Sequence, residues 1–125
     1  MTNVFEDQWK FMDACDQTVS GNNPEQFKLY VNLIDEELSE LKSAIADNNR
    51  VEQLDALIDL VVVTVGAIHS VGAHGEGAWN EVMRTNFAKI DPVTGKVRKR
   101  NDGKVLKPAG WEPPDLTPYI EEDLT

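Results

Sequence analysis

Apolar residues recur at three-and-four spacing over roughly the first ninety positions, the signature of helices that each bury one face, and the pattern then stops. Phe5, Trp9, Met12 and Val19 predict a helix over 3–19, broken by Ser20-Gly21 and the asparagines that follow. Asn23, Pro24 and Glu25 read as a helix start: asparagine can accept from free backbone N–H groups, proline suits the first turn, and an acid complements the positive helix end. That helix, over 24–47, carries Phe27, Val31, Ile34, Leu38, Leu41 and Ile45 as a seam. A third helix over 51–71 is apolar nearly all round in its second half, which marks it as central. Its β-branched run over 60–65 would also suit a strand, but the spacing of Leu54, Leu57, Ile58, Val61, Val62, Val65 and Ile68 favours helix. A fourth helix over 76–90 is expected to bury Trp79, Val82, Met83, Phe87 and Ile90.

Past residue 90 the punctuation changes. Asp91-Pro92 and Thr94-Gly95 read as turns, and Asn101-Asp102-Gly103 predicts the tight turn of a short β-hairpin with strands around 96–99 and 104–107. Pro108, Pro113, Pro114 and Pro118 predict an extended tail. The expected architecture is all-α, one domain over 1–125 with a helical core at 3–90 and hairpin and tail at 91–125. This much apolar helix surface predicts a four-to-five-helix bundle completed by oligomerisation.

Charge narrows the function classes. Twelve basic side chains against 22 acidic ones leave a net charge of -10, which repels a nucleic-acid backbone. The imbalance is uneven: residues 84–107 hold 8 basic and 2 acidic side chains within an otherwise acidic chain. Cys15 is the single cysteine, which excludes an internal disulfide and a thiolate zinc cage. Together with an N-terminus that carries acids rather than a basic flank and an apolar stretch, this predicts a cytoplasmic protein. No apolar run is long enough to span a membrane.

The candidate chemistry lies in carboxylates. Glu37 and Glu40 lie about 60° apart around the second helix, beside its seam. Glu52, Asp55 and Asp59 stack along one side of the third. A run such as Asp35-Glu36-Glu37 is commonly a solvated face, but Asp55 and Asp59 interrupt the most apolar helix of the chain. Two antiparallel helices would bring the clusters together, where like charges need a compensating cation, and oxygen-only ligands select hard ions such as Mg²⁺, Mn²⁺ or Ca²⁺. Carboxylate-held metals serve polyphosphate chemistry, so Arg84, Lys89 and Lys104 or Lys107 become candidates for phosphate oxygens and Asn86 for sugar or phosphate. A non-catalytic helical interaction module and a metal sensor are the competing classes.

These residues resemble a known superfamily. Glu36-Glu37-Leu38-Ser39-Glu40-Leu41, with Asp55-Ala56-Leu57-Ile58-Asp59 on the next helix, is similar to the all-α nucleotide pyrophosphohydrolases that include MazG, the dimeric dUTPases and phosphoribosyl-ATP pyrophosphohydrolase. Thr85-Asn86-Phe87-Ala88-Lys89, Asp102 to Pro108, Trp111 and Pro113-Pro114-Asp115-Leu116 look like the short MazG-like enzymes of bacteriophages. The resemblance implies hydrolysis of a nucleoside triphosphate to the monophosphate and pyrophosphate with Mg²⁺ or Mn²⁺, and a homo-oligomer, expected here as a tetramer. It implies Glu37, Glu40 and Asp59 as metal ligands and Glu36 for water activation or an extra metal. Ala56 stands where the family's second helix usually has glutamate, so Asp55 is expected to substitute, with Glu52 as fallback. MazZ-type members of the phage group act on dGTP, which makes conversion of dGTP to dGMP the first expectation and dUTP, dCTP or dATP the alternatives. Trp111 is a candidate for base stacking, Asn32 for reading a base edge, and Trp79 reads as core.

Overall fold

The computed structural model describes residues 2–121, so the last four residues of the expected tail lie outside it. The helices are α1 (Val4–Ala14), α2 (Pro24–Ala46), α3 (Arg50–Ser70) and α4 (Gly75–Phe87), and no β-sheet forms among the described residues. The fold is all-α.

Each of the first three helices starts on an asparagine. The side chains of Asn3, Asn23 and Asn49 accept the backbone N–H of Glu6, Gln26 and Glu52, three residues on. Such a cap stabilises a helix by about 1 kcal/mol over alanine. α1 ends at Ala14 rather than continuing to 19, because Asp16 takes a left-handed conformation with φ 59°. Thr18 then leaves the helical path to bond Gln26, giving its N–H to Oε1 at 2.9 Å and accepting from Nε2 at 2.7 Å.

The residues fall into two compact units. The first runs from the N-terminus through Gly75, with residues 120–121. In it, the turn through Asn48, itself at φ 54°, joins α2 to α3 as an antiparallel helical hairpin, and α1 packs on α3. Its core is Met12, Tyr30, Val63 and Ala67, with Val19, Leu33 and Ile34 against them. Gly66 is the small partner this core requires: a Cβ there would run into the Tyr30 ring, whose hydroxyl donates to Gln17. Glu121 closes the unit, donating its N–H to Gly72 O at 2.7 Å and accepting that of Gly21 at 2.6 Å. Gly72 has φ 76°, and any Cβ there would strike the backbone of Gly21 and Asn22.

Two sequence expectations need correction. The buried face of α2 keeps only part of the Phe27–Ile45 seam: Ile34 and Leu41 are half-buried, while Phe27, Val31, Leu38 and Ile45 are exposed. The interior follows Tyr30, Leu33, Ile34, Glu37, Leu41 and Ala44, because the small residues Ala56, Gly66 and Ala67 of α3 admit that stripe. Likewise Leu54, Leu57, Ile58, Val61 and Val62 of α3 are exposed in this chain.

The second unit is Glu76–Tyr119. Trp79, Phe87 and Ile90, all expected on the buried face, are 58%, 61% and 40% exposed, while Val82 and Met83 are half-buried. α4 has the amphipathic pattern, yet the chain leaves part of its apolar face open. The expected hairpin reduces to a single antiparallel bridge, Lys99 with Val105, around a turn where Gly103 has φ 89°, while a second bridge, Ile90 with Val97, closes the preceding turn through Asp91 and Gly95. A lone two-stranded hairpin is marginal in water, and here no further strand extends it among the described residues. A short 3-10 turn at Thr117–Tyr119, unmarked by any periodicity, ends the unit.

Candidate metal centre

The unusual feature of the α2 interior is that its fourth position is a glutamate. Glu37 falls in the series that Tyr30, Ile34, Leu41 and Ala44 bury against α3, and the facing series of α3, Ala56, Val63 and Ala67, contains Asp59. Glu40, one turn on and exposed, reaches the same place. One oxygen from each of Glu37, Glu40 and Asp59 lies within 4.8 Å of the others. Helix packing thus forces together three carboxylates that repel one another.

Electrostatics bears the marks of this. Burial pushes the Glu37 carboxyl above its ordinary range, and Glu40, Asp59 and, more weakly, Asp55 push it the same way. Glu37 Oε2 is sealed from solvent and has no hydrogen-bond donor in reach. A buried acceptor without a partner costs about 1–3 kcal/mol, and no lysine or arginine forms an ion pair with any of the three among the described residues. An orphaned carboxylate oxygen facing two further carboxylates fits a divalent cation, and the all-oxygen donor set suits a hard one. The cluster can therefore hold a divalent metal.

The remaining candidates fall into place unequally. Asp55 is exposed and contributes no oxygen to the three-carboxylate group, although its charge reaches Glu37. Glu36, Glu52 and Asn32 are exposed on their helices. In the second unit, Arg84 is engaged by Glu81 through two bonds of 2.7 and 3.0 Å. Lys89 donates to Asn86 Oδ1 at 3.0 Å and lies over the Trp111 ring, 5.1 Å from its centre, while Lys107 lies 4.7 Å from the same centre. Lys104 gives its backbone N–H to Asp102. Glu81 was not singled out from the sequence, although its spacing of three from Arg84 on a helix was the available signal.

Residues 9–86 match the family profile described as phosphoribosyl-ATP pyrophosphohydrolase. The matched stretch contains Glu37, Glu40 and Asp59. No curated protein matches the chain. No helix of the described residues is long and apolar enough to cross a membrane.

Proposed function

Since the chain belongs to the phosphoribosyl-ATP pyrophosphohydrolase family, a family of nucleotide pyrophosphohydrolases, we propose that it cleaves a (deoxy)nucleoside triphosphate into the monophosphate and pyrophosphate. The observation that carries this reading is the convergence of Glu37, Glu40 and Asp59 with Glu37 Oε2 left unpartnered. These three would hold Mg²⁺ or Mn²⁺, with Asp55 as a further ligand one turn away. Bound there, the ion would neutralise polyphosphate oxygens and ease deprotonation of water.

The chain's own residues supply the rest. Glu36, exposed beside Glu37, accepts the proton of the attacking water. The water oxygen bonds to phosphorus, the bridge between the α- and β-phosphates breaks, and pyrophosphate leaves with the electron pair. Arg84, Asn86, Lys89 and Lys107 bind phosphate and sugar oxygens, and Asn32 and Trp111 contribute to nucleotide binding. The resemblance of the tail to short phage MazG-like enzymes supports dGTP as substrate, with dUTP, dCTP or dATP next. A lone cysteine fits a reducing, cytoplasmic setting. The open apolar faces of α2 and α3 support a homo-oligomer, a tetramer built as a dimer of dimers.

The test is a panel of ribo- and deoxynucleoside triphosphates, together with phosphoribosyl-ATP, incubated with Mn²⁺ and read by pyrophosphate release. Turnover of dGTP above the others is expected. Release from none of them would refute the enzymatic reading, and preference for another nucleotide would refute only the base. Glu40→Gln should abolish release while leaving the helical content unchanged.

A further inference from the structure

Within the Glu76–Tyr119 unit, α4 has two unlike sides. The segment after the basic turns comes back along the helix and holds one side at four-residue steps. The Trp111 indole N–H donates to Thr85 O at 2.7 Å, the Asp115 N–H donates to Glu81 Oε2 at 2.9 Å, and the Tyr119 ring lies where a Cβ on Gly77 would stand. At 100° per residue, Gly77, Glu81 and Thr85 lie about 120–160° around the helix from Met83. The Met83 side is therefore out of reach of this strap. There Trp79 and Phe87 are 58% and 61% exposed, with Met83 half-buried between them and Ile90 continuing the line. A contiguous apolar stripe of this kind, rimmed by polar residues, marks an interaction surface.

The order of residues along the stripe says what fits it. Trp79 stands four residues before Met83 and Phe87 four after, each about 40° to one side of its direction. Asn80 and Asn86 stand three before and three after, each about 60° to one side. The stripe is thus symmetric about Met83. Two antiparallel copies related by a two-fold axis at Met83 would set Trp79 of each against Phe87 of the other and Asn80 against Asn86. That self-complementarity is the requirement of an isologous contact, and a partner of unrelated sequence gains nothing from it. The flexible thioether of Met83 suits the axis, where two identical side chains share one space.

Charge selects the same direction. Glu76, in the first turn, and Lys89, just past the last, have no ion-pair partner among the described residues, where the pairs are Arg84 with Glu81 and Arg100 with Asp102. Antiparallel pairing brings Glu76 of each copy beside the end that carries Lys89 and opposes the two helix dipoles, whereas parallel pairing would set like ends together.

We propose that the α4 stripe docks a second copy of this chain, antiparallel about a two-fold axis at Met83. The contact is additional to the α2 and α3 faces invoked above and does not rest on them. Two different two-fold contacts on one chain are what a closed four-chain assembly requires.

The test is cross-linking of the full chain in a Cys15→Ser background, which removes the single, exposed cysteine. Under mild oxidation at micromolar concentration, Met83→Cys should form a covalent dimer by itself. Asn80→Cys and Asn86→Cys should cross-link with each other when mixed and hardly at all alone. Adding Phe87→Lys to Met83→Cys should raise the protein concentration needed for half-maximal cross-linking about tenfold, with helical content unchanged because Phe87 is exposed. Trp79→Lys makes the same measurement should Phe87→Lys fail to fold. Adding Ile58→Lys on α3 should leave the Met83→Cys dimer in place. Folded Met83→Cys that does not cross-link would overturn the proposal and leave the stripe to a different partner. Asn80→Cys cross-linking with itself as well as with Asn86→Cys would overturn the antiparallel axis. A yield indifferent to both lysine variants on the stripe would show random collision, and loss of the dimer with Ile58→Lys would make it a by-product of the α3 contact; either result refutes an α4 interface.

Discussion

Glu37 on α2 and Asp59 on α3 place carboxylate oxygens within 4.8 Å of each other across the packing seam of two antiparallel helices. In an ordinary helical hairpin both positions would be apolar. Here the packing that buries Tyr30 and Val63 also compresses negative charge, and Glu40 adds to it. The site is thus strained electrostatically by the same contacts that hold the fold.

Metal binding should relieve that strain and appear as stability. At a hundredfold excess over its Kd, Mn²⁺ should stabilise the wild type by about 2.7 kcal/mol, measured as a rise in the thermal midpoint. Glu37→Gln should behave in the opposite sense in two ways. Without metal it should be at least as stable as the wild type, because a carboxyl resisting ionisation has been neutralised. With metal it should lose most of the rise. An equal Mn²⁺-dependent shift in both proteins would remove Glu37 from the ligand set.

Gly66→Ala tests the close approach of α2 to α3. The added methyl would occupy space now held by the Tyr30 ring, which is tied at its hydroxyl to Gln17 and cannot easily move. Overpacking of this kind costs about 1–3 kcal/mol, to be read from urea unfolding. A change within error would show that the α2–α3 spacing is looser than described.

How much of this was legible in the sequence differs by feature. The start of α2 was, because Asn23 ahead of Pro24 and Glu25 is a local signal that needs no tertiary context. So was the trio Glu37, Glu40 and Asp59, through helical spacing and resemblance together. Which of two adjacent stripes on α2 faces its own chain was not: periodicity sees Phe27 and Val31 as well as Tyr30 and Ile34, and only the small residues of α3 decide between them. Spacing puts Asp55 on the same face as Asp59 but does not show that its side chain stays in solvent. Val19 extended the apparent first helix, although it packs on the core from a non-helical segment after Asp16.

Acid should act on the second unit through Glu81. The Arg84 guanidinium, with the Asp115 N–H, holds its carboxyl down at about 2, below an ordinary 4.5. Because the folded value is the lower one, the stabilisation is complete above about 4.5 and is lost as the pH falls toward about 2. Glu81→Gln should therefore be less stable than the wild type at neutral pH and converge with it in strong acid, as followed by tryptophan fluorescence during urea unfolding. Parallel stability curves across that range would mean the pair contributes nothing.

The open apolar face of α3 gives the last prediction. Leu54 and Ile58 are 61% and 55% exposed, with Leu57 and Val61 beside them. In a monomer, Ile58→Lys would replace a wet apolar side chain with a soluble one and leave stability unchanged or improved. In an oligomer that buries this face it would forfeit about 1.5–3 kcal/mol of burial per subunit and place an ammonium group in the interface. Light scattering of the wild type should return a multiple of 14.0 kDa, and the variant should lose mass and thermal midpoint together. A wild type that scatters as a single chain at micromolar concentration would sink the oligomer, and the face would then need some other cover.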